Sequence, residues 1–175
     1  ELMGDHRGLA VAGAHGKSTT SGMLVVALDG PSACVGATIP AGDGTGAAWG
    51  AGPWFVAEAD ESDRSLLSLR PQAAIVLNVD HDHHATYASI DEVQEVFGAF
   101  VGALPPDGVL ILGPDPRART LAADAPCPVQ TVGARPDDTW RIVSAQGGVA
   151  QIATPDDGLI TLRLSVPGRH NVENA

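Results

Sequence analysis

The single lysine of this 175-residue chain lies in a glycine-rich segment of the kind that binds phosphate. Lys17 and Ser18 follow Gly13-Ala14-His15-Gly16, and the apolar run 9–12 comes directly before that turn. A buried strand, a glycine turn and a helix over 19–28 would arrange free backbone N–H groups around an anion. We therefore expect Lys17 to contact the terminal phosphates of a nucleotide and the Ser18 hydroxyl to ligate Mg²⁺.

The candidates for the phosphate side of the site are contiguous: Gly13, Ala14, His15, Gly16, Lys17, Ser18 and Thr19. The longer P-loop pattern has a glycine where this chain has Val11, so only the shorter Gly-x-x-Gly-Lys-Ser is present. An ordinary glycine turn before a helix is the alternative interpretation of the same residues.

Four carboxylates crowd the segment Glu58-Ala59-Asp60-Glu61-Ser62-Asp63, which follows a predicted strand at 54–57. In open parallel sheets, ligands bind beyond the carboxyl ends of the strands. We therefore expect this segment to share one edge of the sheet with Lys17 and to hold Mg²⁺ or its waters. A solvated acidic turn, which is the usual role of a charge run, is the alternative.

A third polar segment, Asn78-Val79-Asp80-His81-Asp82-His83-His84, follows another predicted strand. Imidazoles and carboxylates are both metal ligands, and Asp80 or Asp82 could fix the tautomer of a ligating histidine. The spacing is not that of a zinc site, because it lacks paired histidines on a helix and a cysteine partner. A polar loop with incidental histidines explains this segment equally well.

The segment 166–174 at the end of the chain combines a Pro-Gly turn with a possible helix start. His170, Asn171 and Asn174 would lie within one helical turn of each other. Their imidazole and amide groups could bind the edge of an adenine. A helix start without any ligand explains the same residues, and it is the better interpretation when the segment is judged alone.

The elements that would position these segments alternate between strands and helices. Six apolar runs are predicted strands: 9–12, 33–37, 54–57, 73–79, 109–112 and 129–132. Helices are predicted over 19–28, 90–104 and 116–124, and 41–52 is predicted to be a mobile loop. Short strands at 139–145, 149–154 and 159–166 favour hairpins. The fold class is therefore α/β, a mostly parallel P-loop type sheet flanked by helices, with a small antiparallel sheet near the C-terminus.

The composition indicates one compact domain whose ligand must be held by local positive charge. The net charge of −11 argues against nucleic acid or an anionic membrane as the main partner. Cys34 and Cys127 form no metal or disulfide pattern, which favours free thiols in a reducing cytoplasm. Neither a membrane span nor a leader peptide is predicted, and the chain is expected to be a fragment of a larger protein.

In this order, the four segments resemble the middle, ATP-binding domain of the Mur ligases, cytoplasmic enzymes that build the peptide of bacterial cell-wall precursors. The resemblance covers nearly the whole chain, 1–175. His15 and the string 58–63 are most similar to the branch of the family that joins L-alanine to UDP-N-acetylmuramate. Ser62-Asp63-Arg64-Ser65 favours that branch over the ligase that recycles a whole muramoyl tripeptide.

The resemblance implies that the γ-phosphate of ATP passes to a substrate carboxylate and that an amine attacks the acyl phosphate. It assigns catalytic roles to Lys17, Glu58 and His83. It implies that Ser18, Glu58 and His83 bind the magnesium ions. It places the adenine next to His170, Asn171 and Asn174. It implies that Asp60, Glu61 and Ser62 lie near the muramoyl substrate or the metal.

Two departures from the family pattern concern the second metal. Ala85 stands where the family usually has an aspartate, and no lysine beyond Lys17 is present to bridge two ions. The UDP-binding N-terminal domain and the closing C-terminal domain of these ligases are not recognised here, so the chain alone is expected to be inactive. A folylpolyglutamate synthase is a more distant alternative, and a nucleotide-binding regulatory module that ligates nothing is an alternative of another class.

Overall fold

The computed structural model describes residues 3, 5–39, 44–82 and 84–175. Ten strands of the described residues form one sheet, in the order β10-β9-β8-β7-β6-β5-β1-β4-β2-β3. The strands are β1 (Arg7–Ala12), β2 (Ser32–Cys34), β3 (Ala47–Ala48), β4 (Trp54–Ala59), β5 (Ala73–Val76), β6 (Val109–Leu112), β7 (Val129–Gly133), β8 (Trp140–Gln146), β9 (Val149–Ala153) and β10 (Leu159–Arg163). The helices are α1 (Lys17–Ala27), α2 (Ile90–Gly102), α3 (Pro116–Thr120) and α4 (Arg169–Asn174), with 3₁₀ turns at Ser65–Ser68 and Leu121–Asp124.

The central strands run parallel and are covered on both faces. Successive residues of β1 point to opposite faces of the sheet, as strand geometry requires. Leu9 and Val11 pack in the cluster that includes residues of α1, whereas Ala10 and Ala12 pack in the cluster of α2. The apolar face of α2 is fully buried at Phe97 and nearly so at Phe100; burial of each such ring contributes about 1.5–3 kcal/mol.

The order of the strands brings three loops to one edge of the sheet. Strand β1 lies between β4 and β5 and is parallel to both, with Val11 beside Glu58 and Ala12 beside Val76. The segments that follow β1, β4 and β5 therefore emerge side by side. These are the glycine, acidic and histidine segments. The prediction that the acidic segment shares an edge with Lys17 is confirmed, and the histidine segment lies at the same edge.

The hairpin strands near the C-terminus extend this sheet instead of forming a separate one. Strand β8 pairs with β7 in parallel through Val132 with Trp140, and β9 and β10 continue as antiparallel neighbours. The predicted mixed α/β fold with antiparallel strands near the C-terminus is confirmed.

Several predicted boundaries were wrong. The strand predicted at 33–37 ends at Cys34, that at 73–79 ends at Val76, and β4 includes Glu58 and Ala59. Ala47–Ala48 of the predicted mobile loop pairs with β2 as an edge strand, and two residues are too few to give a periodic signal. Residues 41–43 of that loop lie outside the described residues.

Candidate functional site

The glycine segment forms a tight loop between β1 and α1. Gly13 has φ +137° and Gly16 φ +90°, values that L side chains rarely adopt. A Cβ on Gly16 would also come within 2.8 Å of Asn174 Oδ1, and one on Gly13 within 3.1 Å of the Asn78 nitrogen. Both glycines therefore allow the loop to lie directly against neighbouring segments.

Asn78 fixes the middle of this loop. Its Oδ1 accepts a hydrogen bond of 2.9 Å from the His15 backbone N–H, and its Nδ2 donates one of 2.9 Å to the His15 carbonyl oxygen. Asn78 was predicted to lie in a polar segment but was given no role. Its position directly beyond a buried strand was the signal that could have assigned one, because the end of β5 lies beside the end of β1.

The N-terminus of α1 is open to a ligand. Gly16 occupies the N-cap position. Among the described residues, no side chain caps α1 and no acidic residue lies in its first turn. By contrast, α2 is capped by Ser89 and carries Asp91 and Glu92 in its first turn. Unpaired N–H groups and the positive end of the helix dipole favour an anion at α1. Ser18 and Thr19 are exposed at this end.

Lys17 bridges the loop and the acidic segment. Its Nζ donates to the Gly13 carbonyl oxygen at 2.7 Å and lies 2.9 Å from Glu61 Oε2 and 3.2 Å from Oε1. Only 16% of the Lys17 side chain and 2% of the Glu61 side chain are exposed. Glu61 was predicted to lie near the muramoyl substrate or the metal, and in the structure its carboxylate contacts Lys17.

The turn that carries Glu61 is anchored from two sides. The Glu61 carbonyl oxygen accepts hydrogen bonds from the Tyr87 hydroxyl and, at 3.1 Å, from the Arg64 backbone N–H. Tyr87 is 1% exposed, and burial raises the pKa of its hydroxyl. The Arg64 guanidinium lies 5.2 Å from the centre of the Tyr87 ring. The position of the Glu61 carboxylate is therefore set by the folded segment beneath it.

The other predicted residues of the acidic segment make local contacts. Asp60 is exposed, and its Oδ1 accepts a hydrogen bond from the Ser62 N–H at 2.9 Å. The Ser62 carbonyl oxygen accepts one from Thr86. Hydrogen bonds from the side chain and backbone of Ser65 lower the pKa of Asp63. The roles of Asp60 and Ser62 toward a substrate stay predictions.

Glu58 carries a buried oxygen that is unsatisfied within the described part of the site. Its Oε1 is buried and has no hydrogen-bond partner among the described residues. Its other oxygen lies beside Gly36, where an added Cβ would come within 3.0 Å. A buried oxygen without a partner costs on the order of 1–3 kcal/mol. A cation would remove that cost, so Glu58 fits the predicted Mg²⁺ ligand.

His15 and the histidine segment meet on the exposed side of the loop. His15 Nε2 lies 3.2 Å from Asp82 Oδ2, and Asp80 offers a third ligand atom within 4.8 Å of the other two. Asp82, which with Asp80 was a candidate to orient a ligating histidine, contacts His15 of the loop. His83, the predicted magnesium ligand, lies outside the described residues.

A cavity of about 290 Å³ opens beside the loop, between the ends of β5 and β6 and helix α4. It is lined by Leu77, Asn78, Pro114, Asp115, Glu173 and Asn174. Asn174 is the predicted adenine-side residue that reaches this cavity, and its carbonyl oxygen accepts a hydrogen bond from Thr20 of α1. His170 is exposed, and Asn171 Nδ2 donates to the Pro167 carbonyl oxygen at 2.8 Å. The adenine roles of His170 and Asn171 stay predictions.

This loop, following a central parallel strand and opening a helix, defines an α/β domain of the P-loop type. Residues 54–175 match the family model described as the Mur ligase middle domain. The chain belongs to the Mur ligase family. None of the helices that the structure describes is both long and apolar enough to cross a membrane.

Two relatives show how much of a Mur ligase this chain represents. It is 46% identical over 184 residues to the UDP-N-acetylmuramate–L-alanine ligase of Streptomyces coelicolor, an alignment that covers 99% of this chain and 40% of the relative. It is 43% identical over 189 residues to the enzyme of the same name from Rubrobacter xylanophilus, again with 99% and 40% covered. The chain thus spans about two-fifths of the length of these relatives.

Solved structures share the fold. A UDP-N-acetylmuramate:L-alanyl-γ-D-glutamyl-meso-diaminopimelate ligase from Neisseria meningitides superposes with a TM-score of 0.85 at 24% identity, covering 99% of this chain and 60% of the other. A MurF ligase from Thermotoga maritima in complex with ADP has a TM-score of 0.73 at 17% identity, covering 97% and 43%.

Proposed function

We propose that this chain is the ATP-binding middle domain of an enzyme that joins L-alanine to UDP-N-acetylmuramate in the cytoplasm, in the synthesis of peptidoglycan precursors. One observation carries the proposal: Lys17, the open end of α1 and a Glu58 oxygen that has no partner among the described residues meet at the ends of three adjacent strands. The names of the relatives at 43% and 46% identity support the choice of substrates.

In this proposal the protein positions phosphate groups and neutralises their charge. The loop N–H groups and Lys17 hold the β- and γ-phosphates, and Asn174 lies on the adenine side, beside the cavity. The γ-phosphate passes to the muramoyl carboxylate with release of ADP, and the amine of L-alanine then displaces phosphate from the acyl phosphate. A solved neighbour with the same fold is an ADP complex, which supports a nucleotide as the ligand of this domain.

Glu58, Ser18 and His83 would hold Mg²⁺, which, when bound, offsets the negative charge of the phosphates. The buried Oε1 of Glu58 supports this assignment because it has no partner among the described residues. Glu58→Gln should therefore weaken the Mg²⁺-dependent part of nucleotide binding. The Mg²⁺-independent part should stay as in the unchanged chain.

The test of the function uses a full-length protein that carries this domain. It is given ATP, Mg²⁺ and UDP-N-acetylmuramate, with either L-alanine or the free tripeptide as the amine, and phosphate release is followed. Release that requires both the sugar nucleotide and L-alanine supports the proposal. Phosphate release that requires the tripeptide in place of L-alanine identifies a recycling ligase. ATP hydrolysis that depends on neither the sugar nucleotide nor an amine contradicts ligation. We expect the 175-residue chain alone to bind nucleotide without ligating.

A further inference from the structure

The Lys17–Glu61 pair raises a problem for nucleotide binding. A lysine that must meet phosphate oxygens is already held by a carboxylate whose Oε2 lies 2.9 Å from its Nζ. At that separation a carboxylate and an ammonium neutralise each other strongly in a partly buried site. The positive charge available to a phosphate is therefore smaller than the sequence suggests.

Glu61 cannot easily withdraw from this contact, whereas Lys17 can. The Glu61 backbone is fixed by the Tyr87 hydroxyl and the Arg64 N–H, and its side chain is 2% exposed. Lysine carries a compact charge on a flexible four-carbon stem and can exchange partners by rotating that stem. An incoming phosphate must therefore draw the ammonium away from Glu61, or share it.

We propose that Glu61 is the positioning residue of Lys17. In the nucleotide-free chain the Glu61 carboxylate pairs with the Lys17 ammonium, and the phosphate oxygens of a bound nucleotide take the place of that carboxylate. This inference rests on the proposed function, because it takes Lys17 to be the phosphate ligand. It changes the role expected for Glu61, which acts through Lys17 and not on the muramoyl substrate.

The isosteric variant Glu61→Gln separates charge from shape. The amide oxygen can still accept a hydrogen bond from Lys17, but it no longer cancels the lysine charge or repels phosphate. ADP and ATP should bind at least about tenfold more tightly. This gain corresponds to a small part of the interaction energy between two unscreened unit charges at this distance. Adenosine, which has no phosphate, should bind as it does to the unchanged chain.

Two further variants separate the charge at position 61 from general charge and from side-chain length. Glu95→Gln removes one negative charge from an exposed position on α2 and should leave all three affinities unchanged. Glu61→Asp keeps the charge but shortens the side chain, so it should not tighten ADP or ATP binding. A purely structural role for Glu61 would shift adenosine, ADP and ATP alike, and urea unfolding of each variant identifies a change in folding.

The measurement is calorimetric titration of the chain and these variants with adenosine, ADP and ATP in the presence of Mg²⁺. Tighter binding confined to ADP and ATP in Glu61→Gln supports the inference. Unchanged or weaker binding of both in Glu61→Gln overturns it while leaving the phosphate role of Lys17 intact. If the unchanged chain binds neither ADP nor ATP, this inference fails, whereas the proposed function is decided separately by the ligation test on the full-length protein.

Discussion

Two largely buried ion pairs, Lys17–Glu61 and Arg119–Asp138, lie beside the ends of strands of the same sheet, and they differ in what holds the cation. The side chain of Arg119 is 14% exposed and that of Lys17 is 16% exposed, so burial does not distinguish them. Arg119 donates to the carbonyl oxygens of Gly113 at 2.6 Å and Val132 at 2.9 Å, and lies 2.6 Å from Asp138 Oδ1. It thereby ties the ends of β6 and β7 to the turn before β8.

Lys17, by contrast, has partners from its own loop and from one carboxylate. A planar guanidinium with a fixed fork of donors suits contacts that never change, whereas an ammonium on a flexible stem suits contacts that must be exchanged. The chain contains one lysine and nine arginines. Burial therefore does not distinguish a buried ion pair that binds a ligand from one that stabilises the fold. The two differ in whether the partners of the cation can be exchanged.

The largest expected effect is loss of stability in Arg119→Met. Asp138, whose side chain is 0% exposed, would lose its cation. Breaking such a pair costs about 3–5 kcal/mol of the free energy of unfolding, measured by urea denaturation. Nucleotide affinity of the folded fraction should not change, because Arg119 lies outside the site.

The matched control is Arg163→Met, which changes an exposed arginine on β10 and should alter stability by less than about 0.5 kcal/mol. Replacing both partners, in Arg119→Met with Asp138→Leu, should recover only part of the loss, because the Gly113 and Val132 carbonyl oxygens and the Arg135 N–H also lose their partner. A double variant as unstable as Arg119→Met alone would contradict the idea that the orphaned carboxylate causes the loss.

The reciprocal swaps test the role of side-chain geometry. Arg119→Lys keeps the charge but cannot reach both carbonyl oxygens and Asp138, so it should cost about 1.5–3 kcal/mol of stability. Lys17→Arg should leave stability nearly unchanged and weaken ADP binding about tenfold or more, because the rigid fork stays on Glu61. Wild-type ADP affinity in Lys17→Arg would show that charge alone suffices at the loop.

The smallest effect is expected from Tyr87→Phe, which removes one anchor of the Glu61 turn. The lost hydrogen bond should cost about 1 kcal/mol near neutral pH. Since the folded-state pKa of Tyr87 is raised by burial, its contribution is full below the ordinary tyrosine pKa of 10.0 and is lost as pH rises through the folded-state value.

Unfolding measured at two pH values, near 8 and near 11, checks this prediction for Tyr87→Phe. The variant should lose less stability than the unchanged chain over that interval, because it lacks the group that titrates. An equal loss in both chains would show that Tyr87 contributes nothing to the pH dependence.

Much of this architecture could be predicted from the sequence, because helices and strands leave local or periodic patterns of apolar residues in it. The helix predicted at 90–104 contains α2, which Ser89 caps, and the apolar runs predicted the parallel strands. The shared edge of the three polar segments was predictable because parallel strands end at the same side of a sheet.

The pairing within the site was not predictable. Nothing in the spacing of residues 17 and 61 indicates that Lys17 meets Glu61 in preference to Glu58 or Asp60, because the turn after β4 decides which carboxylate faces the loop. The hydrogen bonds of the Asn78 side chain to the His15 backbone and the contact of His15 with Asp82 likewise depend on the order of β4, β1 and β5. Such contacts join residues far apart in the chain.

The most direct test of Lys17 as the exchangeable phosphate ligand is calorimetric titration of the unchanged chain and Lys17→Met with ADP and adenosine, in the presence of Mg²⁺. A hydrogen bond to a charged group contributes about 1.5–3 kcal/mol, so ADP should bind roughly 10- to 150-fold more weakly to the variant. Adenosine should bind both chains equally. Equal ADP affinity in the two chains would contradict the phosphate role of Lys17.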